Sequence, residues 1–424
     1  MSTTIEGIRG RRVWDSRGRP TVEVEVTCTG GSGRAIAPAG ASTGSGEALD
    51  RRDGGEAFGG YDVGGAVASV NGEIADALNG RDAADQEALD AALISLDGTD
   101  NKSRLGGNAL IATSMAIAHA AAAARSLPLW RHLGGSDDAV LPLPEIQIFG
   151  GGAHAGRRVD VQDFMVIAVG AADYVQALEW TAEVYRAAGT LMAERGLLQG
   201  VADEGGFWPA FESNEEALGM LVRAIEAAGL RPGADMAISL DIAASEFGED
   251  GRYRLARDGT ELDSDGLCEM MLGWLARYPI VSIEDPLGED DEAGLIRFTR
   301  EAGAGVQVVG DDYIVTNAGR VRRGVEVGAC NCALIKPNQA GTLSETRAAF
   351  TAAREAGWGA IVSARSGESE DVTIVHLATG WGAHQLKVGS FARSERLAKW
   401  NEGLRLADAL GAARLPDKSV FPWD

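Results

Sequence analysis

Three acidic residues close apolar runs in the second half of the chain: Ile-Ser-Leu-Asp241, Val-Ser-Ile-Glu284 and Val-Val-Gly-Asp311. A fourth run, Ala-Leu-Ile, closes on Lys336. A lone acid at the end of an apolar run ordinarily caps a helix or pairs with a base. Three of them and a lysine, on runs spaced for a helix in between, make a different pattern. Successive strands of a (β/α) barrel deliver such side chains to a single mouth. Carboxylates gathered there repel one another unless a cation sits among them. An all-oxygen ligand set selects a hard divalent ion, most simply Mg2+. A lysine beside such an ion loses proton affinity, which makes Lys336 a candidate base.

The elements that must position these residues fall into two groups. Residues 5–14 and 20–28 alternate as strands around the turn Asp15-Ser-Arg-Gly18. The small-residue stretch Ala39–Gly46 reads as a mobile loop, and helical patterns follow at 62–79, 84–97 and 107–125. This is an α+β unit spanning 1–133, with a junction at Gly134–Asp138. From 139 to 424 strands and helices alternate. Apolar runs at 164–169, 236–240, 279–283, 306–309, 332–335, 360–363 and 385–388 are separated mostly by amphipathic helices, including 172–196 and one at 214–229 capped at Ser213-Asn214. With no Gly-rich dinucleotide fingerprint among them, repeated βα units point to a closed barrel over an open sheet.

Composition narrows the function. A net charge of -23 argues against nucleic acid or an anionic membrane as partner, while leaving room for a small anionic substrate held by a local cation and a few basic residues. No basic-then-apolar leader opens the sequence and no run of about 18 apolar residues stands out, so a cytoplasmic enzyme is expected. Cys28, Cys268, Cys330 and Cys332 lack disulfide or zinc spacing; Cys330 and Cys332 are expected on one strand face as packing residues. Of five histidines only His154, inside Gly150-Gly-Gly-Ala-His-Ala155, sits in a loop suited to chemistry.

Ten strings, in order, carry a resemblance: VWDSRGRPTVEVEV (13–26), GASTG (40–44), GGAHAG (151–156), VADEGGF (201–207), SLDIAASEF (239–247), SIEDP (282–286), VVGDDYIVTN (308–317), LIKPNQAGT (334–342), RSGESED (365–371) and LKVGSFARSERLAKWNE (386–402). The chain resembles the enolase family from end to end. The resemblance implies an α/β fold: a modified (β/α)8 TIM-like barrel with one antiparallel strand near its start, and an N-terminal α+β lid domain. It implies one tightly held Mg2+ on Asp241, Glu284 and Asp311, and a second, bound with substrate, that Ser42 closes over. Lys336 then resembles the general base and Glu204 the general acid. Arg365 and Ser366 resemble a phosphoryl clamp, Lys387 a partner for the substrate carboxylate, and His154, Gln162 and Asp163 further substrate contacts. A homodimer or larger homo-oligomer is also implied. The charge-rich Arg393–Lys399 reads as structural support for the barrel.

The sequence departs from the usual family pattern around the reacting centre. Ala364 stands where a histidine precedes the Arg-Ser pair, Asp163 replaces a glutamate, Ala153 a serine, and Ala39 stands where a serine usually opens the first active-site loop. Glu145 and Gln147 replace an apolar residue and an asparagine. Lys336, Glu204 and the three carboxylates are intact, so decay into a non-catalytic binding protein is disfavoured. The Lys-x-Lys base motif of sugar-acid dehydratases and racemases is missing from 164–169. What is expected is a specialised enzyme for a bulkier phosphorylated or phosphonylated substrate, of the type that forms carboxyphosphonoenolpyruvate in phosphonate antibiotic pathways. The alternative is the glycolytic conversion of 2-phosphoglycerate to phosphoenolpyruvate and water.

Overall fold

The computed structural model describes residues 2–424. The N-terminal part holds an antiparallel sheet of β1 (Ile5–Trp14), β2 (Pro20–Cys28) and β3 (Gly31–Ile36). Its inward Val22, Val24 and Val26 pack on the helix Gly107–Ala124, whose run of alanines lets the backbones approach closely. Gly33 marks that approach: a Cβ there would run into the Ala120 backbone. By length and composition this helix is apolar enough to cross a membrane, but 89% of it is buried, as the core of its domain. The pattern at 62–79 is helical from Gly64 to Leu78, with one wider turn at Val70–Ile74.

The barrel strands are β4 (Leu143–Gly150), β5 (Asp163–Ile167) and β6 (Ala237–Asp241), then, after a small sheet of β7 (Gly248–Glu249), β8 (Arg252–Leu255) and β9 (Thr260–Asp263), β10 (Ile280–Glu284), β11 (Gln307–Gly310), β12 (Cys332–Ile335), β13 (Gly359–Ser363) and β14 (Gln385–Ser390). They close in the order β10-β11-β12-β13-β14-β4-β5-β6. β5 runs antiparallel to both neighbours and every other pairing is parallel. Side-chain oxygens of Asp173, Ser213, Asp263, Asp291, Asn317 and Thr342 accept from backbone N–H groups at the starts of the flanking helices, which fixes where each helix begins.

The outer faces of the strands and the helices share one large apolar core. Inside, the barrel is only partly apolar: Val309, Cys332, Leu334 and Ile361 form a small cluster. Below the mouth, Ser282 donates to Gln307 (3.1 Å), Gln307 to Gln385 (2.8 Å), and Gln385 to Glu145 (3.4 Å). Cys332 and Cys330 do not share a face. Cys332 belongs to the inner cluster and Cys330 to the outer core, because β12 begins only at Cys332 and alternation does not extend into the preceding turn. All four cysteines are free and buried, as packing residues would be.

Candidate active site

Inward-facing residues at the ends of the strands meet at the mouth. In-register pairing places Asp163 opposite Asp241 and Asp241 opposite Glu284. The third carboxylate, Asp311, follows β11 directly, as Lys336 follows β12. The turns leaving these strands are strained: Asp285, Ala243, Val315 and Thr316 all adopt left-handed backbone with φ of 40°, 47°, 45° and 51°. For a β-branched residue such as Val315 that conformation is a genuine outlier, and strain of this kind persists where surrounding structure over-determines it. Asp285 does part of that work, accepting from the N–H groups of Asp311 (2.8 Å) and Asp312 (2.9 Å).

Lysines bridge the three carboxylates. Lys387 Nζ lies 2.8 Å from Asp241 Oδ2, 2.8 Å from Glu284 Oε2 and 3.8 Å from Asp163 Oδ2. Lys336 Nζ donates to Asp311 Oδ2, whose other oxygen accepts from Gln339 Nε2 at 2.8 Å. Gln162 Nε2 donates to Asp241 Oδ2 at 3.1 Å. Burial and the neighbouring Asp241 push the Glu284 carboxyl well above its usual range, and Glu284 Oε1 is buried without a partner. The Lys336 ammonium is paired with Asp311. Burial works against its charge, yet Asp311 overrides this and its proton affinity is raised. Sharing the charge on Asp311 would weaken that hold on the proton.

On one side of this cluster lies a guanidinium. Arg365 donates to Glu47 Oε2 (2.8 Å) and Oε1 (3.1 Å), Asn338 Oδ1 (3.0 Å) and the Ser42 carbonyl (2.9 Å). Gly40 has to be glycine, since a Cβ would collide with Arg365. Ser366 Oγ accepts from Arg17 at 3.4 Å. From the helix Ser394–Leu410, Arg396 reaches under the pair and donates to the carbonyls of Arg365 (2.7 Å), Ser366 (2.6 Å) and Val388 (2.8 Å), while Lys399 pairs with Glu368 at 2.8 Å.

On the other side Glu204 sits in a loop held at three points. Its carbonyl accepts from Ser390 N (2.8 Å), the Gly205 carbonyl from Tyr185 Oη (2.9 Å), and Gly206 N donates to Gln147 Oε1 (2.8 Å). Burial raises the Glu204 carboxyl above its ordinary value. His154 Nε2 is 4.0 Å from Glu204 Oε1, and its Nδ1 is 3.2 Å from Asp163 Oδ1. Burial opposes the imidazolium, but Asp163 and Glu204 outweigh it and lift His154 to about 9. One small cavity is lined by Ser42, His154, Gln162, Asp163, Glu204, Asp241, Lys336, Ala364, Arg365, Ser366 and Lys387. Glu284 and Asp311 lie just beyond its wall, reached through the two lysines. Residues 5–133 match the family pattern "Enolase, N-terminal domain", and residues 138–417 match "Enolase, C-terminal TIM barrel domain".

The chain belongs to the enolase family. It is therefore an enolase-superfamily enzyme, a group made up generally of lyases. The donor set fits the divalent cation that such a site takes: buried carboxylates on adjacent strands, one orphaned oxygen on Glu284, and ammonium groups standing where positive charge is needed. The acidic groups whose ligand atoms come within 4.8 Å of one another are His154–Asp163–Glu204 and Asp285–Asp311–Asp312, while Asp241 and Glu284 are bridged by Lys387. Sequence reasoning passed over Glu47, Asn338 and Gln339, which hold Arg365 and Asp311, and over Asp285 and Asp312. The last two stand next to Glu284 and Asp311 in the strings SIEDP and VVGDD, a signal that could have found them. Two of the altered positions are physically joined, since Gln147 Nε2 donates to Asp163 Oδ1, and a third, Glu145, accepts from Ser239 Oγ.

Proposed function

We propose that the protein removes the α-proton of a 2-phosphoglycerate-like acid and eliminates a leaving group from the adjacent carbon, giving a phosphoenolpyruvate-type product. The observation that carries this reading is that Lys336 and Glu204 line one cavity together with Arg365, Ser366 and Lys387. Arg365 suits a phosphoryl or phosphonyl group through its planar fork, with Ser366 adding a hydroxyl donor. Lys387 orients the substrate carboxylate. Lys336 takes the α-proton on its Nζ, and Glu204, whose hold on a proton is strengthened by burial, is the donor to the departing hydroxide. A divalent cation drawing on Asp241, Glu284 and Asp311, with a second at Ser42, would neutralise those carboxylates, release Lys336 from Asp311, and spread the charge of the ionised substrate.

The substrate is bulkier than 2-phosphoglycerate in this reading. Ala364 lines the cavity beside Arg365, and a methyl in place of an imidazole leaves room for a group of carboxylate size. A phosphoglycerate analogue with a carboxylate on phosphorus fits that chemistry, its product being carboxyphosphonoenolpyruvate.

Turnover of 2-phosphoglycerate with Mg2+, followed by the absorbance of the enol product, tests both levels. Weak turnover that rises in Ala364→His supports the specialised reading. Rates of an ordinary enolase in the unaltered chain would replace it with the glycolytic one. No proton exchange or elimination with any phosphoglycerate would remove both.

A further inference from the structure

Gln147 is fully buried, and each end of its amide is spoken for. Nε2 donates to Asp163 Oδ1, and Oε1 accepts from Gly206 N at 2.8 Å. The two partners fix the orientation of the amide, since a flip would set N–H against N–H and oxygen against oxygen. Gly206 leaves no slack, because a Cβ there would collide with Gln147 Oε1. Around this contact the strand β4 and the Glu204 loop are laced by Phe207 N to the Ile148 carbonyl (2.8 Å) and Gly150 N to the Phe207 carbonyl (3.1 Å).

The same Asp163 oxygen that Gln147 holds is the one 3.2 Å from His154 Nδ1. A carboxylate only accepts, so Nδ1 carries a proton and Nε2 is turned toward Glu204. Gln147 thus touches both arms of the proton-donating side: the carboxylate that orients the imidazole, and the backbone that carries the acid.

We propose that Gln147 is the positioning residue for the His154–Glu204 pair, and that its length is matched to the short carboxylate at Asp163. The inference rests on the reading of Glu204 as proton donor. With Gln147 in place, a shift of either arm is resisted by the other. Without it, Asp163 loses a donor, His154 loses a fixed acceptor, and the Gly205–Gly206 turn loses its tie to β4. Gln147 itself does not line the cavity, so it acts through its neighbours.

The test moves one methylene between the two side chains. Gln147→Asn and Asp163→Glu, singly and combined, are compared with the unaltered protein by 15N spectra of histidine-labelled samples, in which only five imidazoles contribute. Each single variant is expected to shift the His154 signals toward those of an unanchored imidazole, and the double variant to restore them. In parallel, elimination from 2-phosphoglycerate falls about 100-fold in each single variant and recovers in the double variant, while α-proton exchange persists throughout. Unchanged His154 signals in both single variants, or a double variant no better than the singles, would overturn the proposal. Should Gln147→Asn not fold, Gln147→Met keeps the bulk, removes both hydrogen bonds, and is read the same way. An unaltered protein that neither exchanges nor eliminates defeats the reading of the reaction, and the imidazole spectra alone then decide the role of Gln147.

Discussion

Lys387 Nζ stands 2.8 Å from Glu284 Oε2, and it is equally close to Asp241 Oδ2. An ammonium group is thus the counter-charge for two buried carboxylates that the proposed mechanism assigns to a divalent ion. Burial disfavours its charge, yet Asp241 and Glu284 hold its proton affinity well above that of a free lysine. Breaking a buried pair from one side leaves the other charge uncompensated, at about 3–5 kcal/mol. Lys387→Met is therefore expected to destabilise the protein by about that much in EDTA and by clearly less with saturating Mg2+, measured by thermal unfolding. Equal losses in both conditions would show that cation and ammonium do not compete for these acids.

In the proposed reaction Lys336 is the group on which proton removal depends. Lys336→Ala is expected to lower exchange of the substrate α-proton with deuterated solvent by at least about 100-fold, whether or not elimination follows. Glu204→Gln, which keeps the shape and removes the acid, should spare exchange and stop elimination. Exchange surviving in Lys336→Ala would take that residue out of the mechanism.

What was legible in the sequence follows from which residues interrupt an apolar pattern. Asp241, Glu284, Asp311 and Lys336 each end a run of buried strand residues, so the strand and its functional tip are read together. β4 carries no such run. Pro144, Glu145 and Gln147 break it, because the barrel interior beneath the mouth is polar and those side chains are buried by hydrogen bonds. β3 was hidden by its glycines, which let it lie against the alanine-rich helix. The left-handed turns at Asp285 and Val315 left no trace, since neither residue type announces positive φ. The raised proton affinity of Lys336 depends on a partner 25 residues away in sequence, a distance no local pattern reports.

Arg396 and Lys399 read as structural support, and the contacts of Arg396 give that support a magnitude. Its guanidinium is fully buried and donates to three backbone carbonyls, two of them belonging to Arg365 and Ser366. Arg396→Met removes those donors and strands the carbonyls, with an expected loss of about 3 kcal/mol or more in denaturant unfolding. Arg405→Met, on the exposed face of the same helix, is expected to change stability by less than about 0.5 kcal/mol. Equal, small effects would mean that the ground under the clamp is held by packing alone.

His154 gives the site a pH dependence that can be followed without substrate. Burial penalises its charge, but Asp163 and Glu204 raise it from 6.5 to about 9 in the folded protein. The folded state therefore binds a proton that the unfolded chain gives up earlier. The stabilisation is complete below pH 6.5 and is lost as pH rises through about 9. Its full size is on the order of 3 kcal/mol. Denaturation midpoints measured from pH 6 to 10 for the unaltered protein and for His154→Gln should accordingly converge toward alkaline pH. Parallel curves across that range would mean that the imidazole is neutral in the folded state, and that Asp163 and Glu204 do not share a charged partner.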